Sequence, residues 1–284
     1  MPELPEVETM RRGLLPCVGG EIVAVSKPRS KYRPIAMEPP LPRLRQRLIG
    51  CRIIAVERLG KRVVVQLDSS DLLVLQPKMA GLVLVGLPPN QAHARLVIEL
   101  NGVDATPLIY WDQRGLGTIK LWTAKEMEAY LTSGAIGPDA LAIDFESFFT
   151  RFSASRREVK PTLLDQARVA GIGNLYASEI LHQSRVHPQC RADQLSKSEW
   201  RKIYKSTINI LQEAILYEGS TLGDGSYRNA KNNPGNYQNV HQVYDRAGKS
   251  CKKCKRGIIE RIVQAQRSTF FCPCCQSPVL PKCR

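Results

Sequence analysis

Short runs of apolar residues, separated by turn residues, dominate the first 122 positions of the chain. Such runs, rich in Val, Ile and Leu and bounded by Gly, Pro, Asn or Asp, are typical of β-strands. The predicted strands are Glu21–Ser26, Ile53–Leu59, Arg62–Leu67, Leu72–Leu75, Leu82–Val85, Arg95–Leu100, Leu108–Trp111 and Thr118–Trp122. A short helix is predicted from Val7 to about Leu15, and the Pro-rich stretch Pro34–Pro42 is predicted to be a loop. Eight short strands in this spacing predict a β-sandwich.

After Trp122 the apolar positions recur every three or four residues, which indicates helices. The predicted helices are Lys125–Leu131, Phe145–Phe152, Lys160–Ala167, Leu175–Gln183 and Ser196–Tyr217. Ser196 and Glu199 have the spacing of a capping box at the start of the last helix. Gly134–Ala140 is predicted to link two domains. Gly219–Asn239 is rich in Gly, Asn and Asp and predicts a long loop, which in a compact protein is usually functional or mobile.

The charge of the chain indicates a polyanionic partner. The formal net charge is +15, and the last 44 residues hold ten Lys or Arg against two Asp or Glu. A length of 284 residues predicts more than one domain. No apolar run approaches the roughly 20 residues that cross a bilayer. The N-terminus also lacks the apolar region of an export signal, so neither a membrane protein nor an exported one is predicted.

The C-terminal cysteines predict a metal site. Nine cysteines are an odd number, and in a chain without an export signal this favours metal binding over a disulfide framework. Two pairs, each with a two-residue gap, supply four thiolates, which is the ligand set of a structural zinc ion. The predicted ligands of one Zn²⁺ are Cys251, Cys254, Cys272 and Cys275. The alternative to a zinc ribbon that binds a partner is one that only stabilises the C-terminal tail.

The residues around these pairs predict a zinc ribbon. Gly257–Gln264 and Arg267–Phe271 fit two strands of a hairpin. Arg267 lies near the hairpin turn, where an arginine can project toward a phosphate backbone. Cys274 and Cys283 are surplus. Cys274 competes as a ligand, but pairing 272 with 275 restores the two-residue gap.

The chain begins Met1-Pro2-Glu3-Leu4-Pro5-Glu6. Removal of Met1 would leave Pro2 with a free secondary amine of pKa about 8, part of which is nucleophilic at neutral pH. Attack of such an amine on an aldehyde carbon gives a cationic iminium, which is an electron sink for elimination on a sugar. Glu3 is placed to protonate a sugar oxygen, with Glu6 one helical turn further on. Ordinary helix initiation by proline and glutamate is the alternative from these residues alone.

Four further residues suit phosphate or base contacts. The glycine turn Gly171-Ile172-Gly173 opens a helix at Asn174, where free N–H groups bind phosphate, although a simple N-cap is the commoner role. Lys61 lies in a turn between strands and is either a phosphate ligand or a solvated lysine. Met79 lies between strands and is either core or functional. Arg114 lies in a glycine-flanked loop of the kind that often carries binding residues.

Three motifs, in order along the chain, resemble the Fpg/Nei family of DNA glycosylases/AP lyases. They are Pro2-Glu3-Leu4-Pro5-Glu6-Val7-Glu8, Leu163-Leu164-Asp165-Gln166 followed by Gly171-Ile172-Gly173-Asn174, and Arg267-Ser268-Thr269-Phe270-Phe271-Cys272-Pro273 with Cys275-Gln276. The resemblance spans nearly the whole chain and implies an α+β fold. The implied domains are an N-terminal β-sandwich catalytic domain (1–132), a helical DNA-binding domain with a helix–two-turns–helix module (133–240) and a zinc ribbon (241–284).

The resemblance also implies the roles of individual residues. In the family the N-terminal proline attacks C1′ of a flipped damaged nucleotide, and the adjacent acid acts on the oxygen of the sugar ring. These roles fall on Pro2 and Glu3. The implied catalytic residues are Pro2, Glu3, Glu6 and Lys61, and the implied DNA-binding residues are Met79, Arg114, Leu116, Asn174 and Arg267. Extruding a nucleotide from the duplex costs a few kcal/mol of free energy, which phosphate contacts offset.

The chain departs from the family in the loops that wedge into the base stack. The family motif Asp-Pro-Arg-Arg-Phe-Gly is replaced by Asp112-Gln113-Arg114-Gly115-Leu116-Gly117. Gly115 is expected to make the loop more flexible, and Leu116 offers a smaller, non-aromatic wedge than Phe. The family's His-Leu is replaced by Gln76-Pro77. These departures are expected to change the choice of damage more than the chemistry.

The predicted function is that of a base-excision-repair DNA glycosylase with AP lyase activity. It removes oxidised bases through a Schiff base at Pro2 and then carries out β,δ-elimination. The predicted partner is double-stranded DNA with oxidised bases or abasic sites, bound by a monomer without a membrane partner; a bacterial protein would be cytoplasmic and nucleoid-associated. One alternative is a catalytically silent DNA-damage-binding protein on the same scaffold. An RNA-binding zinc-ribbon protein explains the charge and the cysteines but not the N-terminus.

Overall fold

The computed structural model describes residues 2–103, 106–223, 225 and 227–277. The chain forms two compact units. The first unit comprises Met1–Ser133 and Ala214–Gln238, and the second comprises Gly134–Glu213 and Asn239–Arg284. The first is rich in strands and the second in helices, so the predicted α+β fold is confirmed. The division into three domains stays a prediction.

The first unit is a β-sandwich. Its elements are α1 (Leu4–Gly13), β1 (Glu21–Ser26), β2 (Ala36–Glu38), α2 (Leu41–Leu48), β3 (Ile53–Leu59), β4 (Arg62–Leu67), β5 (Leu72–Gln76), β6 (Gly81–Val85), β7 (Ala94–Asn101), β8 (Leu108–Asp112), β9 (Thr118–Trp122) and α3 (Ala124–Thr132). One sheet has the order β1-β7-β8-β6 and the other β2-β9-β5-β4-β3. All eight predicted strands are confirmed, with ends within one residue of the prediction.

Apolar residues from both sheets and from α1 form one buried core. Val7 and Met10 supply the helix side of this core and are fully buried. The helix begins at Leu4 rather than at Val7 as predicted, because Glu3 and Glu6 form a capping box before it. The catalytic candidates at the N-terminus are therefore attached to a helix that packs on strands β3, β4 and β6.

The prediction of a loop over Pro34–Pro42 was wrong in part. Strand β2 lies inside this stretch and pairs with β9 in parallel, and α2 begins at Leu41. Leu44 and Leu48 are fully buried, so one face of α2 belongs to the core. Proline is tolerated in the first turn of a helix, which is where Pro42 lies, and the density of prolines hid this apolar spacing.

The second unit contains helices and a two-stranded ribbon. Its elements are α4 (Phe145–Ser153), α5 (Val159–Leu163), α6 (Asn174–Ser184), α7 (Lys197–Leu216, whose last residues belong to the first unit), β10 (Glu260–Gln264) and β11 (Arg267–Phe271). The predicted capping box is confirmed: the Ser196 N–H donates to Glu199 Oε2 at 2.8 Å. In the described part of the chain, no helix is long and apolar enough to cross a membrane.

Helix α5 ends four residues earlier than predicted, at Leu163 rather than Ala167. The side chain of Gln166 explains the early end. Its Nε2 donates to the carbonyls of Leu164 and Ile172, and its Oε1 accepts the N–H of Gly171. Gln166 thereby fixes the turn that leads to the glycine segment before α6, so the backbone leaves the helix in favour of this turn.

Candidate active site and DNA-binding surfaces

The N-terminal catalytic candidates surround a buried carboxylate. Pro2, Glu3 and Glu6 are buried. Glu6 Oε2 accepts the N–H of Glu3 at 2.9 Å, and Glu6 Oε1 accepts the N–H of Ser220 at 2.9 Å. At Gly219, with φ +79°, an added Cβ would lie 2.8 Å from Glu6 Oε1, so only glycine fits. Glu6 therefore fixes the start of α1 and the segment after α7 relative to each other within the first unit.

The predicted loop after Gly219 is organised by its own hydrogen bonds. Thr221 donates its N–H to Gln238 Oε1, and its hydroxyl accepts the N–H of Gly235 and donates to the Tyr227 carbonyl. The Tyr227 hydroxyl in turn donates to the carbonyl of Glu218 at 2.9 Å. Burial, together with the charge of Glu6, raises the pKa of Tyr227 well above its ordinary value. Tyr227 is therefore a neutral donor at physiological pH.

Lys61 lies in the two-residue turn between β3 and β4 and is half-buried. Arg58 connects this turn to α1, since its Nε donates to Glu8 Oε2 at 3.1 Å and its Nη1 donates to the Gly60 carbonyl at 3.1 Å. Burial raises the pKa of Glu8, but Arg11, Arg12 and Arg58 outweigh burial and lower this pKa below its ordinary value. Glu8 is thus ionised, and the Lys61 turn is fixed to the helix that follows Pro2.

The wedge loop Asp112–Gly117 is organised by a second buried carboxylate. Asp112 is fully buried, and its oxygens accept the N–H groups of Arg114, Gly115 and Gly117 at 2.7–2.9 Å. Gly115 has φ +64°, and an added Cβ would lie 2.6 Å from the Arg33 carbonyl oxygen. Glycine is the residue that permits this tight, hydrogen-bonded turn, and the expectation that Gly115 makes the loop more flexible stays a prediction.

The structure brings two of the predicted wedge residues together. Met79 is 42% exposed, and its sulfur lies 3.9 Å from Nη1 of Arg114, which is also exposed. Leu116 is half-buried. The buried Tyr110 hydroxyl donates at 2.8 Å to the carbonyl of Gln76, the last residue of β5 before the Met79 loop. Met79 and Arg114 therefore form one exposed group.

Asn174 and Arg267 lie close together in the second unit. Asn174 Nδ2 donates to the carbonyl of Ser268 at 3.0 Å, and Ser268 follows Arg267 in β11. Lys160 is 1% exposed, and its ammonium donates to Asn174 Oδ1 and Thr269 Oγ1 at 2.7 Å each. Lys160 thus fixes both the amide of Asn174 and the ribbon strand.

A surface cavity of about 330 Å³ lies beside Arg267. Arg157 lines the same cavity, which places two exposed guanidinium groups around it. The turn of the ribbon hairpin, at Ala265 and Gln266, has positive φ at both residues. This turn directs the chain back so that Arg267 stands at the turn end of the ribbon, paired with Gln264. Asp165 also lines the cavity and lies 4.0 Å from Arg157, so Arg267 is the arginine of this cavity that forms no ion pair among the described residues.

The four predicted metal ligands form one cluster. The sulfur atoms of Cys251, Cys254, Cys272 and Cys275 all lie within 4.8 Å of one another. Two of the sulfur–sulfur distances are 3.8 and 3.7 Å. A tetrahedron with Zn–S bonds of about 2.3 Å has edges of about 3.8 Å, so the donor set and its spacing fit zinc. Cys274 is exposed and outside this cluster, and Cys283 lies outside the described residues.

Three residues that shape these sites were not predicted from the sequence to have this role: Lys160, Glu179 and Asp112. Glu179, fully buried in α6, accepts the N–H groups of Gln242, Val243 and Tyr244. Burial raises the pKa of Glu179, and the backbone N–H donors oppose this shift. A charged residue inside an apolar stretch, as in Leu175–Leu181, was the available signal, because such a residue is seldom buried without partners.

Comparison with known proteins identifies the class of protein to which this chain belongs, the DNA-repair glycosylases with a zinc finger. The N-terminal domain model of formamidopyrimidine-DNA glycosylase matches residues 1–119, and the helix–two-turns–helix domain model of the same enzyme matches residues 136–226. A zinc finger found in this enzyme and in isoleucyl-tRNA synthetase matches residues 248–278. The chain belongs to the formamidopyrimidine-DNA glycosylase family.

Similar proteins agree with this assignment over almost the full length. The formamidopyrimidine-DNA glycosylase of Heliobacterium modesticaldum is 37% identical over 283 residues, which cover 97% of this chain and 100% of the relative. The Streptococcus mutans enzyme is 37% identical and covers 97% of this chain and 99% of its own length. A point mutant of the Lactococcus lactis FPG, solved with DNA that contains Fapy-dG, superposes with a TM-score of 0.87 at 32% identity, covering 97% of this chain and 100% of the other.

The conformation of Gly115 generates a stability prediction. Gly115→Ala should destabilise the protein by roughly 1–2 kcal/mol for the left-handed backbone and by a further ~1–3 kcal/mol for the contact with Arg33. Gly86→Ala is the matched control, because Gly86 has φ +88° but no atom within 4 Å of an added Cβ. Urea unfolding of both variants measures the difference. Equal losses of stability would contradict the assigned contact.

Proposed function

We propose that this glycosylase is bifunctional and cleaves the DNA strand after it removes the base. The observation that carries the proposal is the Pro2 segment, which lies directly before the buried pair Glu3 and Glu6 at the start of α1. Fpg proteins similar to this chain have been solved with DNA that contains Fapy-dG, an abasic site or carbocyclic 8-oxo-G. We infer that oxidised purines and abasic sites are the substrates of this chain.

The chemistry follows from a secondary amine. Glu3 protonates the ring oxygen as the Pro2 nitrogen attacks C1′ of the flipped nucleotide, so the bond from C1′ to the ring oxygen breaks and the sugar opens. The nitrogen loses its proton, its lone pair forms an iminium with C1′, and the base leaves with that proton. The cation withdraws electrons, so loss of a C2′ proton expels the 3′ phosphate, and a second elimination, with loss of a C4′ proton, expels the 5′ phosphate. Glu6 keeps Glu3 and the Ser220 segment in place during these steps.

Phosphate binding offsets the cost of extruding the nucleotide, which is a few kcal/mol. Lys61 in the first unit, and Asn174 and Arg267 in the second, are the proposed phosphate ligands. Arg267 is exposed, and Asn174 opens α6, whose helix dipole favours an anion at this end. Met79, Arg114 and Leu116 are proposed to fill the gap that the nucleotide leaves. One bound Zn²⁺ per chain would hold the ribbon that carries Arg267.

The first prediction of the proposed function concerns Pro2. Borohydride should reduce the iminium and fix a covalent adduct between abasic-site DNA and the N-terminal residue, read by mass spectrometry. The reaction requires removal of Met1, so a variant with extra residues before Pro2 should form no adduct. Glu3→Gln should slow base excision more than cleavage of a pre-formed abasic site, because its proton is needed before elimination.

Two results would contradict this mechanism. An adduct formed by the N-terminally extended variant would exclude Pro2 as the nucleophile. DNA binding without any adduct in the mature protein would favour a catalytically silent DNA-binding protein on the same scaffold.

The second prediction concerns zinc. Cys251→Ser, or a strong chelator, should unfold the ribbon, because its buried cluster is small and depends on the metal for stability. DNA affinity should fall sharply while the β-sandwich keeps its fold, as followed by circular dichroism. Metal analysis should return one zinc per chain, and a zinc-free active protein would exclude the assignment.

Arg267→Ala is the matched variant for the zinc prediction. It should weaken DNA binding with the ribbon intact and reduce the slope of log K against log salt by about one phosphate contact. A salt slope equal to that of the unmodified protein would show that Arg267 does not contact a phosphate.

The third prediction concerns the wedge. Leu116 gives up part of the ~1–3 kcal/mol that base–aromatic stacking supplies. Cleavage of abasic sites should therefore be typical of the family, whereas excision of 8-oxoguanine should be weaker and less dependent on the opposing base. Leu116→Phe should recover purine excision. Gly115→Arg is unsuitable as a partner change, because its Cβ would meet the Arg33 carbonyl. Efficient excision by the unmodified protein, with a strong preference for opposing cytosine, would overturn the wedge argument.

A further inference from the structure

Helix α6 contacts the ribbon, or the segment just before it, at three points along its length. Asn174 at its start donates to the Ser268 carbonyl, and Glu179 accepts backbone N–H groups from the segment before the ribbon. The third point is His182 in the last turn, whose Nε2 lies 3.5 Å from the Sγ atom of Cys251. This contact joins an imidazole to one of the four zinc ligands and has no role in the function proposed above.

The pair is closed to solvent. His182 is 1% exposed and Cys251 is 0% exposed. His182 Nδ1 is also buried, and no hydrogen-bond partner for it exists among the described residues. The imidazole is therefore enclosed, with one nitrogen directed to sulfur and the other directed to no polar atom of the described chain.

This enclosure decides the position of the proton. A neutral imidazole carries one N–H. With the proton on Nε2, the N–H donates to the sulfur, and Nδ1 keeps only an unpaired acceptor. With the proton on Nδ1, a buried donor is left without a partner and a lone pair faces an anionic thiolate. An unpaired buried donor is costly and the lone pair repels the thiolate, so the proton lies on Nε2.

We propose that His182 is a positioning residue of the zinc site, whose Nε2–H donates a hydrogen bond to the Cys251 thiolate and slows the release of zinc. A donor to a metal-bound thiolate stabilises the charge on sulfur and fixes the ligand, as outer partners of metal ligands generally do. His182 is not itself a ligand, because the group of mutually close donor atoms comprises the four sulfurs. The inference rests on the proposed function, in which the four cysteines bind zinc.

The test compares a variant that keeps the donor with one that removes it. His182→Gln places an amide N–H at a similar reach, and His182→Leu fills the space without a donor. Transfer of zinc to an excess of a metal-sensitive chelating dye measures the release rate. His182→Leu should release zinc about 10-fold faster or more, and His182→Gln should restore most of the difference. Equal zinc release rates for the Gln and Leu variants would show that packing, and not the hydrogen bond, controls the release, and would overturn the proposal.

His187→Leu is the control for a general loss of stability. His187 is also buried in the second unit, lies edge-on to Phe271 at 4.7 Å, and accepts the Gln189 N–H rather than facing a sulfur. This variant should lower the melting temperature and leave the zinc release rate unchanged. Faster release by this control, to the same extent as His182→Leu, would overturn the specific role of His182.

A second readout detects the bond directly. In protein loaded with ¹¹³Cd in place of zinc, the Hε2 proton of His182 should show a scalar coupling to the metal through the sulfur, and ¹⁵N shifts should report the Nε2–H tautomer. An Nδ1–H tautomer without coupling would overturn the proposal. Metal analysis of the unmodified protein comes first: absence of zinc rejects the zinc site itself, whereas bound zinc with equal release from all variants rejects only the role of His182.

Discussion

Buried carboxylates that accept backbone N–H groups set the shape of three segments: the start of α1, the wedge loop and the segment before the ribbon. Glu6 accepts from Glu3 and Ser220, Asp112 accepts from three residues of the wedge loop, and Glu179 accepts from the segment before the ribbon. A backbone donor that is buried without a partner costs about 1–3 kcal/mol. Each carboxylate accepts hydrogen bonds from several backbone donors at once. The irregular backbone around it therefore has its N–H groups paired, as the N–H groups of a strand are.

This constraint explains why glycine recurs beside the carboxylates. A short, acceptor-rich side chain can serve several N–H groups only if the backbone curls around it, and such curls need positive φ or close approach. Gly115 follows this rule at Asp112, and Gly219 follows it at Glu6, where an added Cβ would collide. Gly115, where the family has an arginine, is therefore part of a hydrogen-bonded turn.

The sequence predicted what periodicity and spacing encode. The strands from Glu21 to Trp122, the capping box of α7 and the cysteine cluster follow from local patterns. Helix α2 was missed because prolines hid two buried leucines, and α5 was predicted too long because the side chain of Gln166 competes with the helix. The burial of Lys160 depends on Ser268 and Thr269, more than a hundred residues away, and local patterns do not encode such contacts.

The ribbon shows how far a small segment depends on its surroundings. Among the described residues, its buried cluster comprises Val243, Ile259, Phe270 and two cysteines, with three partly buried hydrophobic neighbours. Polar side chains also attach the ribbon: Gln276 donates to the Val186 carbonyl, and Gln264 donates to Glu158 and to the Pro188 carbonyl. Hydrogen bonds of this kind orient the ribbon but each adds only about 1 kcal/mol. Binding of a metal by the four thiolates would add to this stability, and the outer contact from His182 to Cys251 would act on one of the metal–thiolate bonds.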